Sequence, residues 1–588
     1  MAKVSGKIFD VKLFGKLMVF VKPFRTTYYF VLITAILLSL FSTLTPYLLK
    51  VTVDDYIRPR DYEGMLFFVL LMFVALLLEV IFQFLFVFYA NWLGQKVIKD
   101  LRVQLFDKII HFKMAYFDKT AVGRLVTRSV SDIETIASIF SQGLFMIIAD
   151  LLKMVLVIGV MLYVDWRLSL IVFSVLPVIL YATRLFQKSM KKAFEEVRLQ
   201  VANLNSFVQE RIAGIKIVQL FHREKTEYNN FIAINEKHKK AWLKTVWFNS
   251  IFFPVAEISS SVTIGLLVWY GGLNVISGGG VSLGTIFLFI QMSQMLFRPL
   301  RQIADKFNSL QMGMVAAERI FGILETESTI SNKGTLKPDQ VAGHIKFKEL
   351  GFSYLPGEPV LHRLSLDIKA GETVAIVGAT GAGKSTIINL LSRFYEFDSG
   401  EITIDGHSIR EYDLNVLRKH VSVVLQDVFL FADSLFNNIT LFNPELTKSD
   451  VIKASKQIGV HDFIESLPGG YDYNVKERGV MLSSGQRQLI AFLRAYISEP
   501  AILVLDEATS SVDSYTEEVI QRAIDTITKN KTSIVIAHRL ATVKNADKII
   551  VMDQGHIVEE GTHKELLNIK EGHYAKLYEV QFAEAIAG

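Results

Sequence analysis

Cysteine is missing from the 588-residue chain altogether. That excludes disulfide bonds, cysteine-bound zinc and iron–sulfur clusters, and leaves the redox compartment open. Charge is missing from one stretch: between Arg25 and Lys50 no charged residue of either sign occurs. The run TTYYFVLITAILLSLFSTLTPYLL is long enough for the roughly 20 residues of a membrane-spanning helix. At the start, MAKVSGKIFDVKLFGKLMVFVK, there is no compact apolar core followed by a small-residue cleavage site. A signal peptide is therefore not expected, and a mitochondrial leader would use Arg and Ser where this segment uses Lys. Basic residues spaced among apolar ones predict instead an amphipathic helix lying on the cytoplasmic membrane face. Metal-ligand spacing is absent from eleven of the 12 histidines.

What the chain has is apolar mass. It is 51% hydrophobic with 43 Phe, and its mean hydropathy is +0.35. That is too apolar for an ordinary soluble enzyme and predicts membrane spans, while the length allows several domains. After the charge-free first span, others are expected at about Met65 to Trp92, Leu144 to Val164, Leu168 to Phe186, Phe248 to Tyr270 and Leu283 to Leu300. The net charge of +5 matters less than its distribution. The tail before span one holds Lys3, Lys7, Lys12, Lys16, Lys22 and Arg25, and the loop after it is acidic (Asp54, Asp55, Asp61, Glu63). Between spans two and three lie Lys96, Lys99, Arg102, Lys108, Lys113, Lys119, Arg124 and Arg128, and the segment between spans four and five is also basic. The positive-inside rule then places both termini and the two long segments in the cytoplasm. Val97, Leu101, Leu105 and Ile109 keep a helical period, so the long segments read as extensions of membrane helices. Glu79 with Gln83, Asp150 with Lys153, and Glu257 lie inside spans; charges there are costly and should face the bundle interior, as substrate contacts or as interhelical partners.

From about Val341 strand-like and helical runs alternate, as in an α/β domain. Its organising stretch is Gly378-Ala379-Thr380-Gly381-Ala382-Gly383-Lys384-Ser385-Thr386, which fits the phosphate-loop pattern G-x-x-x-x-G-K-[ST]. A β-branched apolar run, Val374 to Val377, precedes it and a helical run follows. The glycines allow backbone N–H groups to close around phosphate oxygens at a helix N-terminus. Lys384 would reach the β- and γ-phosphates of ATP, and the Ser385 hydroxyl would ligate Mg²⁺. A second apolar run, Ala501 to Leu505, ends in Asp506 and Glu507. Asp506 would hold Mg²⁺ and Glu507 would orient the attacking water. Between the two lies Leu482-Ser483-Ser484-Gly485-Gln486, opening a helical run.

These motifs, in this order and behind these spans, resemble those of an ATP-binding cassette (ABC) exporter half-transporter. The resemblance covers nearly the whole chain. It implies a helical membrane domain over 1–325 with six transmembrane helices and long cytoplasmic extensions, a linker over 326–340, and an α/β nucleotide-binding domain over 341–588. It further implies that Tyr354 stacks on adenine, that Gly378, Thr380, Gly381, Ala382, Gly383, Lys384, Ser385 and Thr386 hold the phosphates, and that Ser385, Gln426 and Asp506 serve the metal. Glu507 and His538 would act on the γ-phosphate side. Ser483, Gly485 and Gln486 would face the ATP held by a second subunit, Val475 to Gly479 would touch the coupling segments, Ser510 to Asp513 would cross between the two ATP sites, and His538 is the one histidine given a role. Phe117-Asp118-Lys119 with Gly123-Arg124, and Gly214 to Phe221, resemble the two coupling segments; Phe429 and Phe431 would receive them. One departure is Ser484, where the family usually has Gly, and it puts the symmetry of the dimer in question.

The expected function is ATP-driven export of a hydrophobic or amphipathic molecule, drug-like or lipid, by alternating access in a dimer. A homodimer is favoured, with a heterodimer as the alternative, in a plasma membrane of bacterial type. A cassette ATPase acting on nucleic acid would lack the spans, and a non-hydrolysing channel or receptor would be expected to lack Glu507 or His538.

Overall fold

The computed structural model describes residues 11–506, 514–536 and 540–582. The chain divides into two compact units. The first is Met1–Ile110 with Ala121–Glu327, and the second is Ser328–Gly588 joined by the excursion His111–Thr120.

The first unit is helical. A short helix, Val11–Val19, occupies the amphipathic segment, and its Leu17 is fully buried. Among the described residues, five helices are long and apolar enough to cross a membrane: Lys22–Ile57, Tyr62–Ile110, Phe145–Val164, Trp166–Ala213 and Glu224–Ile276. The sixth expected span does form a helix, Leu283–Leu324. It is not among the five, so the expected count of six is corrected to five on hydropathy. Gln291, Gln294 and Arg298 fall in its apolar half and dilute it. Prolines 46, 177, 254 and 299 sit inside these helices, which membrane helices tolerate better than soluble ones. The helical extension read from the Val97, Leu101, Leu105 and Ile109 period is present: all four are buried along one side of Tyr62–Ile110.

Caps set the turns. Asp165, in the tight turn between two spans, accepts from the N–H groups of Arg167 (2.8 Å) and Leu168 (3.0 Å), starting Trp166–Ala213. Ser282 caps Leu283–Leu324 through the Thr285 N–H at 3.1 Å. Asp54, from the acidic loop after the first span, accepts the Gly284 N–H at 2.8 Å and the Ser282 hydroxyl. A carboxylate there offsets the positive end of the helix dipole. The ionisable residues inside the spans have partners: Asp150 pairs with Lys306. Lys153 lies within electrostatic reach of the opposite charges Glu79 and Asp150.

The second unit holds two sheets. We number its strands β1 (Ile345–Leu355), β2 (Glu358–Ile368), β3 (Thr373–Gly378), β4 (Ser399–Ile404), β5 (His407–Ser408), β6 (Val421–Val424), β7 (Ile502–Asp506), β8 (Thr532–Ile536), β9 (Lys548–Asp553) and β10 (His556–Gly561). The antiparallel sheet runs β2-β1-β4-β5, and the other runs β10-β9-β3-β8-β7-β6. In the latter every pairing is parallel except the β10 edge. Its central strands are apolar without alternation because both faces are covered. Val374 and Ile376 of β3 pack into one core with Ile502, Val504, Ile534 and Ile536. Ala375 and Val377 turn to the opposite core with Leu503, Leu505 and Val535.

Candidate nucleotide site

Parallel pairing gathers the motif residues at one sheet edge. In register, Asp506 at the end of β7 lies opposite Ile536 of β8, Val424 of β6 lies opposite Leu505, and Ile376 of β3 lies opposite Ile536. The carboxyl ends of β3, β6, β7 and β8 therefore emerge together, which is where ligands bind in sheets of this kind. The phosphate loop leaves β3 there, Gln426 lies two residues past β6 and is exposed, and Asp506 closes β7. Glu507, Ser510 to Asp513 and His538 lie outside the described residues.

The loop needs its glycines. Gly378, Gly381 and Gly383 have φ of 151°, 86° and 98°, a region that L side chains rarely enter. A Cβ on Gly378 would fall 2.2 Å from the Met552 carbonyl oxygen, so no other residue fits between β3 and β9. Gly383 is the left-handed cap of the helix Lys384–Leu391. The Lys384 ammonium is folded back over the loop, donating to the carbonyls of Gly378 at 2.6 Å and Ala379 at 2.9 Å. Burial lowers its pKa from the ordinary lysine value, and the Asp506 carboxylate works against that shift. Lys384 and Asp506 thus share one electrostatic site. Lysine, a hydroxyl at Ser385 and the Asp506 carboxylate form a donor set suited to a phosphate and a hard, oxygen-loving cation.

Tyr354 stands on β1, one residue before its end, and is 39% exposed. Its hydroxyl donates to Thr386 Oγ1 at 3.2 Å and accepts from Asn389 Nδ2 at 3.2 Å, which ties the ring to the phosphate-loop helix. Asn389 was not singled out in the sequence, where nothing marks it off from other helical positions.

Ser483, Gly485 and Gln486 open a separate helix, Ser484–Ile497. Ser483 Oγ accepts the Gln486 N–H at 3.2 Å, and the Gln486 side chain accepts the Ser483 N–H at 2.9 Å. This reciprocal cap satisfies donors at the helix start. The helix packs within its own lobe, against Leu435–Thr440, Lys448–Gln457 and β6. In the preceding loop Lys476 and Arg478 have φ of 59° and 55°, strained values for such side chains. Arg494, on the same helix, donates to the carbonyl of Asn438 at 2.9 Å. Phe429 and Phe431 are about half exposed, with ring centroids 5.4 Å apart.

Comparison with known proteins agrees with this architecture. The ABC transporter transmembrane region matches residues 28–300, and a second family model, ABC transporter, matches residues 361–510. An ABC transporter ATP-binding protein of Bacillus subtilis, YknV, is 35% identical over 99% of this chain and 97% of its own length. An ATP-dependent lipid A-core flippase of Syntrophus aciditrophicus is 33% identical over 98% of this chain and 96% of its own. A putative multidrug export ATP-binding/permease protein of Bacillus subtilis, YgaD, is 34% identical over 96% of this chain and 98% of its own. The chain belongs to the ABC transporter family, as a half-transporter with membrane and nucleotide-binding regions in one polypeptide. It is a multi-pass membrane protein that uses ATP to drive transport.

Proposed function

We propose that the transported molecule is hydrophobic or amphipathic, a drug-like compound or a lipid, exported by a dimer that alternates between inward and outward access. The observation that carries this reading is full-length similarity to a lipid A-core flippase and a multidrug export protein.

In this reading the membrane domain spans 1–325, the linker 326–340 and the nucleotide-binding domain 341–588. Tyr354 supplies a stacking face for adenine. The loop from Gly378 to Thr386 holds the phosphates, and Mg²⁺ at Ser385, Gln426 and Asp506 would neutralise phosphate charge. Glu507 orients the attacking water and His538 bonds the γ-phosphate. Ser483, Gly485 and Gln486 serve the nucleotide of the partner subunit, so each site is completed across a two-fold axis. Hydrolysis resets a closed pair whose formation shifts the membrane helices between two states. The basic cytoplasmic segments favour termini inside a bacterial inner membrane.

The test is purified protein in lipid nanodiscs and proteoliposomes, with ATPase stimulation and transport measured across cationic dyes, neutral drugs and labelled lipids. Stimulation and ATP-dependent movement of at least one of these amphipathic probes is expected. Stimulation confined to hydrophilic solutes or peptides would overturn the substrate class.

A further inference from the structure

Tyr395 has no role in the reading above. It follows the phosphate-loop helix, in the stretch Phe394-Tyr395-Glu396-Phe397, and is half-buried. Three rings meet there edge to face. Phe352 and Tyr354 are 4.7 Å apart, Tyr354 and Tyr395 5.1 Å, and Phe352 and Tyr395 5.9 Å, with interplanar angles of 84°, 86° and 71°. On its other side the Tyr395 hydroxyl donates to the carboxylate of Asp118. Asp118 lies on the short helix Met114–Lys119 of the His111–Thr120 excursion, which belongs to the same compact unit. Burial first, and the Asp118 carboxylate second, hold the phenol well above its ordinary value. It therefore keeps its proton, and remains the donor, through the physiological range.

The excursion is anchored at its base as well. The Lys113 N–H donates to the Ser328 carbonyl at 2.6 Å, and Phe112 pairs with Thr329. Two independent facts thus converge on Tyr395: it packs against the ring read as the adenine platform, and it bonds the segment read as the first coupling element. A continuous path runs from Thr386 through Tyr354 and Tyr395 to Asp118.

We propose that Tyr395 is a positioning residue that relays occupation of the base platform to the coupling segment. The inference rests on the reading of Tyr354 as that platform. A purine laid on the face of Tyr354 restricts its ring, and an edge-to-face neighbour at 5.1 Å must follow. The Tyr395–Asp118 bond converts that ring movement into a displacement of Met114–Lys119, because a hydrogen bond weakens steeply when its angle or length departs from the optimum. The segment thereby senses the base itself, in addition to the phosphates.

The absence of native cysteine makes the test direct. A single cysteine at Lys119 (K119C), in the full chain in nanodiscs, carries an environment-sensitive fluorophore. ATP should change its emission, and inorganic tripolyphosphate, which has no base, should not. Tyr395→Phe keeps the rings and removes the hydroxyl; the ATP response should fall about fivefold or more, the size of an ordinary coupling effect, while ATP affinity measured by nucleotide displacement stays unchanged. Asp118→Asn retains an acceptor oxygen and should keep the response, whereas Asp118→Leu should lose it. A full response in Tyr395→Phe, or an equal response to tripolyphosphate, would overturn the relay. Tyr354→Ala separates the two readings. If it weakens ATP binding while Tyr395→Phe responds normally, the platform stands and the relay fails. If it binds ATP as the native protein does, both fall.

Discussion

Ser484 stands where the family's signature usually has glycine, and a side chain there is harmful only if the backbone requires a positive φ. It does not require one. Ser484 is the first residue of a helix and is not among the residues at positive φ. Its side chain is exposed at the helix start. The expected result of Ser484→Gly is therefore no gain in ATPase rate and a stability loss below about 0.5 kcal/mol, because the first helical position escapes most of the mid-helix penalty on glycine. Turnover and thermal unfolding of purified protein check both, and a large rise in turnover would mean that the serine weakens the site it serves. Glu507 makes the opposite prediction. Glu507→Gln should abolish most turnover yet retain ATP, and equilibrium binding beside an ATPase assay measures this; hydrolysis near the native rate would remove the residue from its role.

At the scale of elements, the coupling stretches are distinct in form. Gly214 ends one long helix, and Ile215–Leu220 makes a single short one before Glu224–Ile276 begins. Ile217, Leu220 and Phe221 stay more than half exposed. Replacing Ile217 to Phe221 with Gly-Ser residues should leave basal ATPase activity and remove its stimulation by a transported dye. Surviving stimulation would place the contact surface elsewhere. What was legible in the chain at this scale was whatever a local pattern encodes. The period Val97, Leu101, Leu105, Ile109 announced a helix running far past the apolar core, and Val374 to Val377 announced a strand buried on two faces. The phosphate loop was legible because three left-handed glycines leave a fixed spacing. What joins distant residues was not legible. Asp54 meets Gly284 and Ser282 across more than two hundred positions, and Tyr395 meets Asp118 likewise, and no local spacing records either. The sixth span failed for another reason: polar residues inside a real helix lower a hydropathy average without altering its geometry.

For the molecule as a whole, the proposed reading gives each chain the residues for one complete nucleotide site, with the signature serving the ATP of a neighbour. A homodimer is the proposed assembly, and the helical conformation of Ser484 carries no backbone strain against it. Expressed alone and purified in lipid, the chain should measure as a dimer in mass and turn over ATP; activity that appears only with a second, different half-transporter would establish a heterodimer. Such an assembly has a mechanical side. The helix Tyr62–Ile110 has 49 residues, about 73 Å at 1.5 Å per residue, against about 30 Å of bilayer hydrocarbon. It is a lever that pivots within the bilayer, with its longer arm running out past Trp92 to Ile110. Tilting it by about five degrees around a pivot some 50 Å from its end would carry Ile110 through roughly 4 Å, about four-fifths of a helical turn. Leverage of that ratio trades travel for force: a few ångströms of displacement at the tip produce a smaller, stronger motion where the helix meets lipid. The rod must then resist bending, and the buried stripe from Val97 to Ile109 is the bracing of its longer arm.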